Sequence, residues 1–455
     1  MAYDYLALDK NSEVPLYRQL YLCIRSAVET GHLQEGDRMP SVRRLAGDLA
    51  LSCTTVETAY QQLCVEGYLR PSPRRGYFAR GIKLGGTERR AAPLPARREP
   101  QLPARYNFGT DCVDIGSSDI RIWRRNVRAA LNRQDVLASY GDPQGEPELR
   151  EALSAYSFAV RGAVARPEQI VIGAGTQPLL SLLCGLLSTE KPAAAIEGPG
   201  FPQAEQVFGD CGLPVHKLPC DSDGIRVDAL EKSGARLVYV SPSNRVGAGS
   251  AIPMSRRMEL LDWASRTGGI LIEDDYNGEL RYRARPVPAM QGIADGRGIV
   301  YLGSFSKLLL PSVRIGYMIL TPELLGRYRP RSANYNQTAS KVEQLALAEY
   351  IRAGQMERHL RSLRKLYGAK SEALLHSLHT AFGGRAEILL QETQLTVILT
   401  LHTKQSAAEL CRLARGNGVR VQPAGDGHIL LGFAGIPLAD IPGAVQCLKD
   451  AWSDI

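Results

Sequence analysis

Four side chains in the C-terminal half of the sequence could act together on an aldehyde. Asp274 and Tyr276 follow an apolar run, Lys307 follows a polar segment, and Arg314 lies seven residues beyond the lysine. A lysine amine can form a Schiff base with a carbonyl carbon. A carboxylate can keep a ring nitrogen protonated, and an arginine can bind a phosphate group. The set therefore predicts a site for an aromatic aldehyde that carries a phosphate.

Pyridoxal 5'-phosphate (PLP) is the cofactor whose chemistry needs these groups. We predict that Lys307 holds PLP as a Schiff base, that Asp274 pairs with the pyridine nitrogen and that Tyr276 hydrogen-bonds the ring hydroxyl. Arg314 is predicted to bind the phosphate, joined by the hydroxyls of Ser304 and Ser306. A single lysine is usually a surface residue, so the prediction depends on the whole set and its order along the chain.

A small-residue turn offers a second contribution to the phosphate site. It separates an apolar strand, Ile170 to Ile172, from a helix that we predict over Leu179 to Leu187. Backbone N–H groups at a helix N-terminus bind anions. The candidates in this turn are Gly175, Thr176 and Gln177. Phe201 could stack on the pyridine face, although a lone aromatic residue more often serves packing.

The elements around these residues indicate an α/β domain. Four apolar runs alternate with helical segments, which is typical of a mostly parallel sheet covered by helices. They are 170–172, 237–240, 270–272 and 299–302. Lys307 then falls in a loop at the carboxyl end of the sheet, where ligands bind in open α/β folds. A long helix around Val342 to Leu375 and strands near 395–401 and 429–433 predict a smaller appended subdomain.

The N-terminal segment predicts a different kind of domain. Apolar residues recur at helical spacing from Pro15 to about Gly31, a shorter helix is expected from Ser41 to Ala50, and another from Ser52 to Gly67. Two short strands, 68–70 and 76–79, follow around a polar turn. This order of elements is that of a mostly helical winged helix-turn-helix with a small β-hairpin.

A helix-turn-helix places its second helix in the major groove of DNA. Small polar side chains at the start of that helix can approach base edges, and arginines can bind the phosphates. The candidates are Ser52, Thr54, Thr55, Arg43, Arg44, Arg74 and Arg75. A helical protein-interaction domain with a solvated arginine face is the alternative, since three-helix units of this shape are common.

The charge of the chain is unevenly distributed. Between Arg70 and Arg105 ten basic residues accompany two acidic ones, an excess that equals the net charge of +8 for the whole chain. The same region is rich in proline and glycine, which predicts a basic linker over residues 81–113. The linker separates a head, 1–80, from a second domain, 114–455, in which residues from about 345 to 455 form the smaller subdomain.

Composition excludes several classes of protein. The 455 residues exceed what one core usually supports, and 44% hydrophobic with 22% charged residues is typical of folded chains. No apolar run reaches the roughly 18 residues of a membrane span, and no leader peptide opens the chain, so we expect a cytoplasmic protein without a membrane partner. The nine cysteines include no Cys-x-x-Cys pair, so we expect reduced thiols and no metal site.

Segments of the head resemble the GntR family of bacterial regulators from Pro15 to Phe78. The matching strings are Met39 to Ala46, Ser52 to Val56, Ala59 to Leu63 and Glu66 to Leu69. The resemblance implies that DNA is contacted by Arg43, Ser52, Thr54, Arg75 and Gly76. Cys53 departs from the family, which usually has an arginine or lysine there, so one DNA contact is expected to be missing.

The chain beyond about Asp114 resembles fold-type I, class I aminotransferases. The motifs are Tyr140 to Gly145, Gly173 to Gln177, Glu273 to Tyr276, Ser304 to Lys307 and Arg314 to Tyr317. Together with the head, they identify the chain as a member of the MocR-type subfamily. This resemblance implies a PLP-dependent aminotransferase fold with a smaller C-terminal α+β subdomain. It also implies a homodimer, in which Tyr140 reaches the PLP phosphate of the neighbouring subunit and each head packs on the opposite subunit.

Two departures from working aminotransferases bear on function. Val246 stands where those enzymes carry an asparagine that contacts the ring, and residues 427–433 contain no arginine to bind a substrate carboxylate. His428 is the substitute that this segment offers. We therefore expect a regulator that binds a double-stranded DNA operator and senses PLP, an amino acid or a related amine, with no turnover. A functional aminotransferase with an accessory head and a scaffold without cofactor are the alternatives.

Overall fold

The computed structural model describes the chain except residues 1, 2, 4, 11, 82–103, 118, 119, 199, 200, 244–250, 284–286, 392, 393, 426, 454 and 455, and describes only the backbone of residue 137. The chain forms two compact units, residues 1–100 and 101–455. Most of the predicted linker lies outside the described residues.

The first unit is a three-helix domain with a hairpin, as the sequence predicts. Its elements are α1 (Leu16–Glu29), α2 (Val42–Asp48), α3 (Cys53–Val65), β1 (Leu69–Ser72) and β2 (Gly76–Ala79). Helices α2 and α3 each have a serine at the N-cap. Ser41 Oγ accepts the N–H of Arg44, and Ser52 Oγ accepts the N–H of Thr55 at 3.1 Å, which satisfies a donor that the helix itself leaves unpaired.

The core of this unit joins the helices to the hairpin. Leu20 and Ile24 of α1 are fully buried with Val56 and Leu63 of α3, at the helical spacing that the sequence shows. The Tyr60 ring of α3 packs edge-on against a tyrosine of β2, and its hydroxyl donates to the Pro40 carbonyl at 3.0 Å. These contacts fix the hairpin and the start of α2 to α3.

The second unit is built on a seven-stranded sheet with the order β4-β12-β11-β10-β9-β5-β6. Its strands are β4 (Ile170–Gly173), β5 (Ala194–Glu197), β6 (Val215–Leu218), β9 (Leu237–Val240), β10 (Ile270–Asp275), β11 (Ile299–Ser304) and β12 (Gly316–Ile319). Every pairing is parallel except those of β12, which is antiparallel to both neighbours. The mostly parallel sheet is confirmed.

Strand β10 ends three residues later than the sequence suggests. β10 continues through Glu273, Asp274 and Asp275, all buried, although acidic residues are depleted in strands. The carboxylate of Glu273 is paired inside the protein, because it accepts the N–H groups of Met290 and Gln291 at 2.9 and 2.8 Å. Such pairing explains why the strand tolerates Glu273.

Thirteen α-helices also belong to the described part of this unit. They are α4 (Ile120–Leu131), α5 (Gln134–Leu137), α6 (Pro147–Arg161), α7 (Thr176–Leu186), α8 (Pro202–Asp210), α9 (Val227–Ser233), α10 (Met254–Thr267), α11 (Met290–Ile293), α12 (Pro322–Tyr328), α13 (Lys341–Arg352), α14 (Gln355–Phe382), α15 (Ala407–Gly416) and α16 (Ile441–Ala451).

The single long helix predicted over 342–375 is wrong, because the chain forms two helices, α13 and α14. Gly354 between them has φ of +65°, a left-handed conformation that ends one helix and that glycine adopts without a steric penalty. Leu347 before the break and Leu360 after it are buried in the same apolar cluster. The apolar spacing therefore continues across the break and hides it in the sequence.

A second sheet forms the smaller C-terminal part, with the order β13-β14-β17-β16. Its strands are β13 (Ala386–Gln391), β14 (Thr396–Leu401), β16 (Gln422–Pro423) and β17 (His428–Gly432). Two short pairs complete the unit: β3 (Tyr106–Asn107) with β15 (Val419–Arg420), and β7 (Cys220–Asp221) with β8 (Gly224–Ile225). The small α+β part that the sequence predicts is present.

The cap of α3 gives a first testable prediction. Ser52→Ala removes the acceptor of the Thr55 N–H and should destabilise the first turn of α3 by about 1 kcal/mol. Amide hydrogen exchange of residues 53–58 in the full chain should then be about fivefold faster. Thr58→Ala is the control, since Thr58 only donates to a carbonyl already bonded within α3. Equal exchange in the two variants would contradict the role of Ser52.

Candidate functional site

Most of the residues predicted to bind a cofactor lie at one edge of the seven-stranded sheet. Tyr239, Asp274 and Ser304 are in the last residues of β9, β10 and β11, while Gly175 and Phe201 follow β4 and β5. These five strands are parallel to one another, so their carboxyl ends share an edge. Loops and strand ends at such an edge form the usual ligand site of an open α/β sheet.

Lys307 lies in the turn after β11 and faces an aromatic ring. Its Nζ is 5.4 Å from the ring centroid of Tyr276. Burial lowers the pKa of the Lys307 amine below its usual value, and the Asp111 carboxylate opposes this effect. Burial also raises the pKa of the Tyr276 hydroxyl, as do the charges of Asp274 and Glu197. A lowered lysine pKa increases the fraction of neutral amine, which is the nucleophilic form.

Asp274 lies at the centre of the site and is only half satisfied. Its Oδ2 accepts the hydroxyl of Tyr239, whereas its buried Oδ1 has no hydrogen-bond partner. Burial raises the pKa of Asp274 to about 7, the charge of Asp275 adds to that effect, and the Tyr239 bond opposes it. A buried carboxylate oxygen without a partner is costly, so the geometry suits a cationic donor such as a pyridinium N–H.

The tyrosine that hydrogen-bonds this carboxylate is stacked on a second aromatic residue. Phe201 lies almost parallel to the Tyr239 ring, with centroids 6.0 Å apart and an interplanar angle of 6°. Sequence reasoning proposed Phe201 but missed Tyr239. A tyrosine inside an apolar strand carries no motif, and its partner Asp274 is 35 residues away along the chain. Only the parallel pairing of β9 with β10 brings the two together.

The candidate phosphate ligands form a second group beside the lysine. Arg314 donates to Ser306 Oγ at 3.3 Å, and the N–H of Ser306 donates to Ser304 Oγ at 3.4 Å. Gly175, at the N-cap of α7, has φ of +94°, and a Cβ on it would lie 2.9 Å from the Arg314 guanidinium. Only glycine allows this approach. The groups that the sequence selected around the α7 N-terminus therefore converge.

Thr176 and Gln177 form the first turn of α7, next to Gly175. Their backbone N–H groups stand at a helix N-terminus, where the macrodipole favours an anion. The Ala174 N–H, by contrast, donates to Thr338 Oγ1 at 2.9 Å. An anion at this turn would meet the N–H groups that follow Gly175 and the Arg314 cation.

An ion pair that the sequence analysis did not identify lies beneath the site. Arg161 of α6 donates from Nε to Asp275 Oδ2 at 2.5 Å and from Nη2 to Ser243 Oγ at 2.8 Å. Both members of the pair are almost fully buried. The Tyr301 hydroxyl also donates to Asp275 Oδ2 at 2.9 Å. These bonds hold the end of β10, and with it Asp274, in place.

Three predicted features do not join the cluster in the described chain. Tyr140 is fully exposed, and the predicted role would place its partner in another subunit. Val246 lies outside the described residues. His428 begins β17, is exposed and hydrogen-bonds Thr400 Oγ1 through Nδ1 at 2.7 Å.

The candidate DNA-contacting residues are on the surface of the head. Arg43 and Arg44 are exposed on α2, and Thr54 is exposed in the first turn of α3. Arg44 lies 3.7 Å from Asp48, one turn on. Ser52 and Thr55 are partly engaged with each other, since their hydroxyl oxygens are 2.8 Å apart. Cys53 is also exposed here, where the resembling family carries a cation.

The hairpin presents the remaining candidates at its tip. Arg74 has φ of +62° and Gly76 has φ of +100°, and the Arg75 N–H donates to the Ser72 carbonyl at 3.0 Å. A positive φ is unfavourable for arginine, so this turn stores some strain. Arg74 and Arg75 are both exposed. The tip therefore presents two cations on a short, tightly turned wing.

Comparison with known proteins agrees with this two-part structure. Residues 110–445 match the family of aminotransferases of class I and II, and residues 16–78 match the gntR family of bacterial regulatory proteins. The HTH-type transcriptional regulator YhdI of Bacillus subtilis is 35% identical, with 98% of each chain covered. The probable rhizopine catabolism regulatory protein MocR of Rhizobium meliloti is 30% identical over 98% of this chain and 96% of its own.

The chain belongs to the MocR-type regulators of the GntR family. Another relative is the pyridoxine biosynthesis transcriptional regulator PdxR of Corynebacterium glutamicum, 32% identical over 80% of this chain and 78% of its own. The family, the winged helix-turn-helix head and the aminotransferase-like second domain expected from the sequence are thereby confirmed.

Solved structures agree on the fold of the second unit. An archaeal alanine:glyoxylate aminotransferase matches with a TM-score of 0.69 and 24% identity, covering 78% of this chain and 91% of that one. Kynurenine aminotransferase of Pyrococcus horikoshii matches with a TM-score of 0.65 and 23% identity, covering 76% and 90%. At this level of identity the likeness establishes the aminotransferase fold of this MocR-type chain.

Two features are absent from the described part of the chain. Within it, no helix is long and apolar enough to cross a membrane. The same residues contain no group of three or more histidine, cysteine, aspartate or glutamate side chains placed to hold a metal ion.

The raised pKa of Asp274 predicts a pH dependence. Because the folded chain binds this proton more tightly than the unfolded chain, Asp274 costs stability as pH rises from about 4 to about 7. Asp274→Asn removes that cost. As pH rises from 5 to 8, the free energy of unfolding of the cofactor-free variant should therefore increase relative to that of wild type by on the order of a few kcal/mol. Thermal unfolding at four pH values measures the difference.

The control is Asp135→Asn, which removes an exposed carboxylate whose pKa is lowered by Arg133. Burial also raises the pKa values of Glu273 and Glu279 to about 7. Both residues are present in wild type and in the two variants, so their contributions cancel in the stability difference. A stability difference between Asp274→Asn and wild type that stays constant with pH would show that Asp274 is already ionised in the empty site.

Proposed function

We propose that the chain is a DNA-binding transcriptional regulator whose aminotransferase-like domain holds PLP on Lys307 and senses PLP itself or an amino-acid-like amine. In this proposal residues 1–80 bind the operator, residues 81–113 link the domains, and residues 114–455 bind the ligand, with a smaller subdomain from about 345. The observation that carries it is the half-satisfied Asp274 carboxylate at the same sheet edge as Lys307, in a chain that also has a winged helix-turn-helix.

The residues at this edge fit PLP. Asp274 Oδ1, buried and without a partner, suits the protonated pyridine nitrogen. The Arg314 guanidinium, Ser306 Oγ and the α7 N-terminus suit a phosphate. When bound, PLP supplies an aldehyde carbon that reacts reversibly with amines. Lys307 provides the protein amine for that reaction, while Tyr276 and Phe201 provide ring contacts.

Three features support sensing over turnover. β17 carries no arginine to bind a substrate carboxylate, and Val246 replaces an asparagine of working aminotransferases. The relatives that align over nearly the whole chain are named as regulators. The alternative function is a PLP-dependent aminotransferase with an accessory head, which the complete lysine, aspartate and arginine set favours. Steady-state turnover of amino donors at ordinary enzyme rates would support that alternative.

The proposal includes an assembly and a location. A homodimer would bring Tyr140, fully exposed in the single chain, to the phosphate of the neighbouring subunit, with each head on the opposite subunit. A regulator of this kind works beside the chromosome in the cytoplasm. A ligand can change operator binding only if it favours one arrangement of the two heads over another.

Lys307→Ala tests the ligand half of the proposal. Wild-type protein mixed with PLP should become yellow and keep the visible absorbance through dialysis, whereas the variant should lose nearly all of it, since no protein amine remains at the site. The control is Lys365→Ala, which removes an exposed lysine of α14 and should stay yellow. Equal retention in Lys307→Ala would place the bound PLP elsewhere.

Salt-dependent DNA binding tests the other half. Arg43→Ala should weaken binding to operator and to unrelated duplexes alike and reduce the slope of log K against log salt by about 1, because one phosphate contact is lost. Arg18→Ala, on the exposed surface of α1, is the charge-matched control and should leave the slope unchanged. In wild type, specific affinity should change when PLP or an amine is added; identical affinity for all sequences would argue against regulation.

A further inference from the structure

Among the described residues, the Tyr239 hydroxyl is the only side-chain group that donates a hydrogen bond to Asp274. It donates to Oδ2, while Oδ1 has no partner. The buried Arg161 cation is bonded to Asp275 instead. In this part of the chain, the charge on Asp274 therefore depends on one neutral hydroxyl.

The pairing of two strands brings this hydroxyl to the carboxylate. Tyr239 is opposite Ile272 in the parallel pair of β9 and β10. Side chains alternate between the two faces along a strand, so Asp274, two residues after Ile272, lies on the same face of the sheet as Tyr239. The tyrosine side chain spans that diagonal, and its hydroxyl meets the carboxylate. The contact is therefore set by the register of the sheet.

Two phenylalanine rings hold the Tyr239 ring in this orientation. Phe201 lies parallel to it, with centroids 6.0 Å apart, and Phe208 meets it edge-on at 6.3 Å and 74°. Tyr239 and Phe208 are both buried in one apolar cluster. Turning the ring away from Asp274 would break both aromatic contacts in a closely packed interior, so the hydroxyl stays directed at the carboxylate.

The phenol keeps its proton in this environment. Burial raises the pKa of the Tyr239 hydroxyl well above its ordinary value, and the charge of Asp274 raises it further. Tyr239 therefore remains a donor near pH 7, where the pKa of Asp274 lies. A hydrogen bond donated to a carboxylate stabilises the charged form of that carboxylate.

We propose that Tyr239 is a positioning residue for the cofactor: its bond to Asp274 Oδ2 keeps the proton that Asp274 shares with the pyridine ring of PLP on the ring nitrogen. The bond favours a charged carboxylate facing a cationic ring. Without it, the proton moves to Oδ1, and a neutral carboxyl group faces a neutral ring. Protein groups near the ring nitrogen tune the electron demand of this cofactor. The inference rests on the proposed function, because it requires PLP at Lys307 with Asp274 at the ring nitrogen.

The test compares PLP with deazapyridoxal 5'-phosphate, in which a C–H group replaces the ring nitrogen. Both compounds carry the aldehyde and the phosphate, so the ratio of their Kd values isolates the contact between the nitrogen and Asp274. Titration of the cofactor-free full chain at one fixed pH, followed by visible absorbance, gives each Kd. A purely structural role of Tyr239 would change both Kd values equally and leave the ratio unchanged.

In wild type, PLP should bind more tightly than the deaza compound. Tyr239→Phe should reduce the ratio of affinities about tenfold, because a hydrogen bond to a charged group is lost. Asp274→Asn should reduce it at least as far. The control is Tyr328→Phe, which removes a hydroxyl without a hydrogen-bond partner from the same buried apolar cluster and should leave the ratio unchanged.

A second variant guards against a Tyr239→Phe chain that does not fold. Replacement of Tyr239 by 3-fluorotyrosine keeps the ring and makes the hydroxyl a stronger donor, so it should raise the ratio. The ¹⁵N chemical shift of ring-labelled PLP reports the proton directly. In Tyr239→Phe the signal should move from its wild-type position toward that of a neutral pyridine nitrogen, whereas in Tyr328→Phe it should not move.

Failure of this inference and failure of the proposed function give different results. If Asp274→Asn lowers the ratio but Tyr239→Phe does not, or if the ¹⁵N signal of Tyr239→Phe stays at its wild-type position, the role of Tyr239 is overturned. A wild-type chain that takes up no PLP, or takes it up equally well in Lys307→Ala, overturns the proposed function instead.

Discussion

The arrangement of the ligand site depends on how one strand buries three consecutive carboxylates. A buried carboxylate is costly unless it is paired and hydrogen-bonded. Glu273 is paired with backbone N–H groups, and Asp275 with Arg161 and Tyr301. Asp274 has only the Tyr239 hydroxyl, and one of its oxygens has no partner. Asp275 Oδ1 also has no hydrogen-bond partner, but Asp275 has the buried Arg161 cation beside it. The negative charge of Asp274 is therefore the one that a cation from outside can complete.

The rest of the site follows from where that carboxylate lies. Because β10 is central in the sheet, the residues that follow its neighbours meet at the same edge, and this brings Lys307 and Tyr276 to within 5.4 Å of each other. The residues proposed to bind the phosphate come from further across the sheet, at β4 and the turn before β12. The order of the strands is thus enough to bring together residues that suit a flat, charged ligand with one anionic end.

The sequence predicts the local elements of the fold but not the contacts between residues that lie far apart along the chain. Helices α1 and α3 and strand β9 follow from apolar spacing and serine caps, and Lys307, Asp274 and Arg314 follow from their order along the chain. Tyr239 and Arg161 were missed because their partners lie 35 and 114 residues away, and no spacing in the sequence reports such a contact. The break at Gly354 was missed because the buried leucines on both sides keep one continuous helical period.

In the proposed function, the site that keeps Lys307 and Asp274 but lacks an arginine in β17 serves equilibrium binding rather than turnover. Catalysis requires interactions that are stronger in the transition state than in the ground state, and a fixed carboxylate contact helps to orient the substrate for it. A sensor requires only that bound and free chains differ in free energy. That difference favours a ligand that is held and released at cellular concentrations over one that is converted.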